Sequence, residues 1–399
     1  MTTVQQAETI INSEAKDFGT ETIYFEQALG RVLAEDLLAD RDLPPCDRVT
    51  MDGIAINFEI FEQGIRTFTI KAIQAAGDAP QVINQPDECI EIMTGAALPA
   101  GTDTVVRYED LEIKDGKATI IINQLVKGQS IHHQGKDKLR GEIVAPANQL
   151  ITPALIHMAA STGKDQLVVK RLPRIVILSS GDELVEVTET PAPHQIRRSN
   201  NYHIKAALSY YGINADMQHL PDNATIIKNS ITTCIQLYDV LILSGGISMG
   251  RFDYIPQALE DCGVTQRFHK VQQRPGKPFW FGKHLNETLV FALPGNPVST
   301  FMCLRRYFIP WLENSLGISQ TKSFAMLDAD FTFKPALQYF LQVKLRVDQY
   351  ARLLATPVEG NGSGDYANLL STDAFMELPL ERDHFNKGEC FEIWPFRNG

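Results

Sequence analysis

The chain has 399 residues, 44% of them apolar, and its 37 Lys and Arg against 48 Asp and Glu give a net charge of −11. That length predicts two to three domains with sizeable cores, and the acidic balance excludes nucleic acid as the main partner, because a phosphate backbone needs a basic face. No window approaches the roughly 18 uncharged apolar residues of a membrane helix, and Met1–Lys16 lacks the basic flank of a secretory leader, so no membrane span and a cytoplasmic location are expected.

Cys46, Cys89, Cys234, Cys262, Cys303 and Cys390 are scattered without a C-x-x-C pair. They predict reduced thiols and neither a disulfide framework nor a zinc site.

Thr2 or Thr3 can cap a first helix whose apolar positions Val4, Ala7, Ile11 and Ala15 form one stripe, closing at Gly19. That stripe can face the rest of the chain or a second copy. Tyr24–Leu29 reads as a short helix stopped at Gly30, and Arg31–Leu38 as extended, before Leu43-Pro44-Pro45 marks a boundary. Residues 45–140 then show short strands and turns, with Asp115-Gly116 a strong hairpin signal. Thr152-Pro153 opens a helix over Ala154–Ser161. Residues 141–169 are expected to rejoin 1–44, which makes 45–140 an inserted β domain.

From Arg174 the chain alternates strand and helix. Strands are predicted at Arg174–Leu178, Val240–Leu243, Arg267–Val271 and Thr288–Leu293, with another before Pro221. Ser199 and Asn223 are the predicted caps of two helices, and Pro297 opens a last helix to about Leu316, disturbed at Pro310. Residues 170–320 are thus a doubly wound α/β domain, and residues 321–399, where Leu341, Val343, Leu345 and Val347 alternate with polar residues, a small β barrel or sandwich.

Such sheets bind ligands beyond the carboxyl ends of their strands. Five polar segments fall there: Ser179–Glu183, Pro221-Asp222, the loop from Ser244 to Asp253, Arg274–Pro278 and Leu293–Ser299. One acid after a strand is more often solvated or capping than functional; five polar loops on one edge point to a site. Gly245, Gly246 and Gly250 allow a backbone close to an anion, while Asp182, Glu183, Asp222 and Asp253 offer oxygen ligands suited to Mg²⁺. Arg274 and Lys277 suit phosphate or another oxyanion, and the prolines at 275, 278, 294 and 297 fix their loops in advance.

Met51-Asp52-Gly53, Met93-Thr94-Gly95-Ala96, Gly135-x-Asp137, Ser180-Gly181-Asp182-Glu183-Leu184, Ser199-Asn200, Ser244-Gly245-Gly246-x-Ser248-x-Gly250-x-x-Asp253-Tyr254, Pro275-Gly276-Lys277-Pro278 and Leu293-Pro294-Gly295-Asn296-Pro297-Val298-Ser299 resemble, in order and spacing, the motifs of the molybdopterin molybdenumtransferase family, which includes the C-terminal enzyme domain of gephyrin. The resemblance spans nearly the whole chain. It implies an elongated, four-domain homodimer that takes adenylylated molybdopterin and molybdate, uses Mg²⁺ in cleaving the adenylate, inserts molybdenum and releases AMP, with a molybdopterin adenylyltransferase as upstream donor. The site it implies lies between the α/β domain of one subunit and the inserted β domain of the other. Asp52, Thr94, Asp137, Glu183, Asp222, Asp253 and Lys277 then carry the chemistry, with Glu183, Asp222 and Asp253 as metal ligands. Ser180, Gly181, Gly245, Gly246, Ser248, Gly250, Arg274, Pro275, Gly276, Pro294, Gly295, Asn296 and Pro297 would line the binding surface.

The sequence departs from the family's pattern at His132, Lys136, Arg197 and Arg198, which change charge near the implied site, and more mildly at Ser180. Two other readings compete: an adenylyltransferase acting on molybdopterin, whose usual Gly-Gly-Thr-Gly loop is replaced here by Gly245-Gly246-Ile247-Ser248, and a non-catalytic molybdopterin-binding scaffold.

Overall fold

The structure, a computed structural model, describes residues 1–247 and 254–397. The chain divides into two compact units, one of residues 1–34, 148–152 and 167–399, the other of residues 35–147 and 153–166.

In the second unit a six-stranded sheet runs in the spatial order Thr104–Arg107, Gly53–Ile56, Glu88–Ile92, Thr67–Gln74, Lys117–Ile120, Leu111–Lys114. Lys114 pairs with Lys117, so Asp115-Gly116 forms the expected two-residue hairpin turn. Both turn residues have positive φ, 50° and 71°, the backbone that the strands' twist favours. The helix Pro153–Ser161 also forms as predicted.

In the first unit the doubly wound sheet has six strands: β1 (Ile175–Ser180), β2 (Asp216–Leu220), β3 (Val240–Ser244), β4 (Val264–His269), β5 (Trp280–His284) and β6 (Leu289–Leu293). Their order is β2-β1-β3-β6-β5-β4. β2, β1, β3 and β6 are mutually parallel, and β5 joins β6 and β4 antiparallel. The parallel strands β1, β3 and β6 are buried along their whole length, as sheets covered on both faces require. Helices α1 (Ser199–Ser209) and α4 (Pro297–Cys303) place Ile204, Leu208, Val298 and Met302 in the core on one face. Helices α2 (Ala224–Leu237) and α3 (Ile255–Asp261) place Ile227, Ile231 and Leu259 in the core on the other.

Asn223 caps α2 through its side-chain oxygen, which accepts from the amides of Thr225 and Ile226. Ser199 is instead the first residue of α1, and Arg198 occupies the cap position without a side-chain bond. The fourth strand falls at Val264–His269 rather than Arg267–Val271, and β5 was not predicted. The disturbance before Pro310 is a π-helical stretch, Leu304–Phe308, between α4 and a last helix, Ile309–Ser315. Proline has no amide hydrogen for the carbonyl four residues earlier, and the wider turn accommodates that loss.

The first helix, Val4–Asn12, begins at a Thr3–Gln6 capping box. Its buried stripe of Val4, Ala7 and Ile11 belongs to the same core as Trp311 and Leu312, which settles which surface it covers. At the C-terminal end, strands Gln338–Val347, Leu353–Pro357, Ser323–Leu327, Cys390–Pro395 and Ala374–Leu378 pair in that order, and the last returns to the first. The result is a closed five-stranded barrel, which leaves those strands no free edge.

A buried arginine ties these parts together. Arg306, only 3% exposed, pairs through Nη2 with Glu8 and through Nε with Glu377, each at 2.9 Å, and its guanidinium lies 4.3 Å from the Trp394 ring. Removing one partner of a buried pair leaves the other charge uncompensated. We expect Arg306→Ala to lower unfolding free energy by about 3–5 kcal/mol, read from urea denaturation; a loss below about 1 kcal/mol, the scale of an exposed pair, contradicts this.

Candidate functional site

A cleft of about 740 Å³ opens at the carboxyl ends of β1, β3 and β6 and on the neighbouring barrel surface. Ser180, Glu183, Gly245, Gly246, Arg274, Pro275, Gly276, Lys277, Pro294, Gly295 and Asn296 all line it. These are residues predicted from loops far apart in sequence, and parallel pairing is what gathers them: Ser180 lies beside Leu220, and Ser244 beside Leu293.

The glycines answer to close approach. A Cβ on Gly246, at φ +67°, would lie 2.4 Å from Ser180 Oγ and 2.7 Å from Ile255 Cδ1. At Gly181 the Glu183 carboxylate folds back to within 2.3 Å of where a Cβ would stand. Asn200 Nδ2 donates to Ser244 Oγ at 2.9 Å and to Gly295 O at 2.8 Å, holding the β3 and β6 loops together. Pro297 begins α4 beside this junction.

Arg274 and Lys277 are solvent-exposed on a loop that starts with a cis Arg274–Pro275 bond. Val271 N donates to Lys277 O at 2.9 Å, closing the base of the loop. The cleft therefore presents two exposed cations on an anchored backbone, an arrangement suited to an anionic ligand.

Asp222 lies at the end of β2, where its amide donates to Asp182 Oδ1 at 3.0 Å and its Oδ2 accepts from Asp182 N at 3.4 Å. It braces the β1 loop and is not among the cleft-lining residues. Ser248, Gly250 and Asp253 lie outside the described residues. Among the described residues no three His, Cys, Asp or Glu side chains gather as a metal-binding group.

In the second unit, Asp52 Oδ1 accepts from Thr94 N at 2.6 Å and from Thr94 Oγ1 at 2.8 Å. The Thr94 amide, then its hydroxyl, holds the Asp52 carboxyl below its ordinary pKa. Gly53 is required there because a Cβ would stand 1.9 Å from Val106 O. Asp137 is 2.9 Å from His132 Nε2, one of the residues that depart from the family's pattern.

The sequence reading missed the barrel's share of the cleft: Tyr339, Gln342 and residues 358 and 360–363. Asn296 Nδ2 donates to Ser363 Oγ at 2.8 Å and Val298 N to Ser363 O at 3.1 Å, which fixes this loop against the head of α4. Glycines 360, 362 and 364 were the signal that a special loop stood there. Gln342 belongs to the strand's polar face, which alternation alone assigns to solvent. Burial raises the Tyr339 hydroxyl's pKa, partly opposed by Arg274, so the group is a neutral donor at physiological pH.

The fold is a doubly wound domain with its cleft at the strand ends, followed by a closed barrel that adds residues to the cleft. Family profiles match residues 2–163 as the MoeA N-terminal region (domain I and II), 176–314 as a probable molybdopterin binding domain and 325–396 as the MoeA C-terminal region (domain IV). A curated molybdopterin molybdenumtransferase of Synechocystis sp. is 39% identical over 99% of this chain and 100% of its own. One of Haemophilus influenzae is 30% identical over 96% of each. The crystal structure of a molybdopterin biosynthesis MoeA protein of Pyrococcus horikoshii superposes with a TM-score of 0.84 at 26% identity over the full length of both chains. The chain belongs to the molybdopterin molybdenumtransferase family.

Thr94→Val removes the hydroxyl donor to Asp52 while keeping the amide. The Asp52 pKa is expected to rise toward the ordinary value of about 3.9, followed by carboxyl-carbon NMR titration; an unchanged pKa would show that the hydroxyl does not hold the charge.

Proposed function

We propose that this chain carries out the Mg²⁺-dependent insertion of molybdenum from molybdate into adenylylated molybdopterin, with release of AMP. As a family member it is a transferase of molybdenum cofactor biosynthesis. The observation that carries the finer reading is the cleft itself, where Arg274 and Lys277 stand on a fixed loop opposite the glycine turns of β3 and β6. A ligand with an adenylate phosphate, or molybdate, brings the negative charge that those cations and the turn amides can hold. Gly245 and Gly295 approach so closely that a Cβ on Gly295 would lie 3.4 Å from Gly245 Cα, leaving a shallow backbone floor for a flat pterin.

Of the three ligands assigned to Mg²⁺, Glu183 lines the cleft and Asp222 braces the adjoining loop without lining the cleft, while Asp253 is the third; carboxylate oxygens are the donors such an ion takes. The ion binds hard oxygens and commonly keeps waters and phosphate as further ligands, so few protein carboxylates suffice. Bound there, it would neutralise phosphate charge as the adenylate leaves. Asp52, Thr94 and Asp137 are assigned to the same reaction from the second unit of a partner subunit in a homodimer. We further assign residues 1–44 with 141–169 to a linker domain, 45–140 to the inserted β domain, 170–320 to molybdopterin binding and 321–399 to the barrel.

A cytoplasmic location and a molybdopterin adenylyltransferase as donor complete the proposal; among the described residues no helix is long and apolar enough to cross a membrane. Purified protein given adenylylated molybdopterin, Mg²⁺ and molybdate should release AMP, and release no greater than without enzyme rejects the assignment. Molybdopterin-dependent ATP consumption would mark an adenylyltransferase instead. Lys277→Ala is expected to lower turnover at limiting molybdate by about tenfold to hundredfold, the order of one lost hydrogen bond to a charged group.

A further inference from the structure

Beneath the two exposed cations lies a buried polar brace. Gln273, just before Arg274, is 0% exposed. Its Nε2 donates to Gly276 O at 3.2 Å and lies 3.5 Å from Cys303 Sγ, and its Oε1 accepts from the Tyr307 hydroxyl. Tyr307 is 2% exposed, with its ring 5.1 Å from that of Phe279, and burial keeps its hydroxyl protonated and therefore a donor. Gly276 has φ +87°, and a Cβ there would meet Cys303 Sγ at 2.6 Å and Gln273 Nε2 at 2.9 Å. The backbone between the two cations is thus pressed onto this amide with no spare room.

An apolar side chain of similar size would fill the same place without the cost of burying an amide and a phenol. What the polar pair adds is a second donor, from the interior, to the Gly276 carbonyl, which also accepts from Phe279 N at 3.2 Å, and with it a tighter constraint on where Arg274 and Lys277 leave the loop. Geometric error of about 1 Å at a charged clamp is enough to weaken it many-fold.

We infer that Gln273 and Tyr307 are positioning residues that set the affinity of the cleft for a tetrahedral oxyanion, either molybdate or the phosphate of the adenylated substrate. This rests on Arg274 and Lys277 being the anion-holding cations. Tyr307 is not among the cleft-lining residues, and Gln273, which is, has its side-chain polar atoms turned to Gly276, Cys303 and Tyr307.

Tyr307→Phe keeps the ring and removes the donor, and Gln273→Met keeps the volume and removes both bonds. Each is assayed for AMP release with molybdate and adenylylated molybdopterin varied in turn, and for direct molybdate binding by calorimetry, with urea midpoints in parallel. The expected result is a rise of about fivefold in one half-saturating concentration, the order of one lost buried hydrogen bond, with turnover at saturation within about twofold of the parent. A rise for molybdate, matched in calorimetry, assigns the brace to molybdate; a rise for the nucleotide alone assigns it to the adenylate phosphate. Unchanged values for both, or a fall in saturated turnover that only follows the urea midpoint, overturns the inference. If the parent protein releases no AMP, the proposed reaction fails, while calorimetry still decides the brace: parent binding weakened in both variants supports it, and equal or absent binding overturns it.

Discussion

The constraint on which the first unit depends is the satisfaction of a charge taken out of water. Arg306 is held by carboxylates from opposite ends of the chain, Glu8 on the first helix and Glu377 on a barrel strand. Glu377 also accepts from Trp394 Nε1 at 2.8 Å and from Gln338 Nε2. Gln338 in turn lies beside Gln273 in a short parallel pairing, and its amide donates to Gln272 O at 3.1 Å. A continuous polar path therefore runs from the interior to the base of the cation loop. A pair of this sort gives little net stability over an apolar replacement, but loss of one member leaves the others buried and uncompensated. The barrel, the first helix and the α/β domain are in that sense keyed together.

Local signals in the sequence were read well where the physics is local. Thr3 and Asn223 supply cap oxygens to amides two or three residues away, and Asp115-Gly116 needs only its own backbone to make a turn. The parallel strands are legible because burial on both faces leaves nothing but apolar residues in β6 and in β3 up to its last residue, Ser244. The edge of the sheet was harder. No strand is assigned by the sequence to Trp280–His284, directly after the Arg274–Pro278 segment, yet it forms β5 by pairing with β4 and β6.

The site was legible in its cations and glycines and illegible in its walls. Glu183, Lys277 and Gly246 are legible because the polar segments that carry them all follow strands of one parallel sheet and so fall on one edge. Tyr339, Gln342 and Ser363 do not, since their role depends on a barrel closing and then lying against α4, contacts between positions some 40 to 70 residues apart. Ser199 was misplaced by one residue for a related reason: a serine before a helix is a favoured cap, but Arg198 holds that position while its guanidinium pairs with Glu186.

The π-helical stretch at Leu304–Phe308 fits more residues into its turns than an α-helix would. Everything after it is consequently out of phase with α4 by the angular step of a single residue, about 100°. Trp311 and Leu312, both 0% exposed, pack into the core at that phase. Excising one position here would turn the last helix by about 100° against α4 and repack every side chain it buries, so the segment's length is constrained along with its composition.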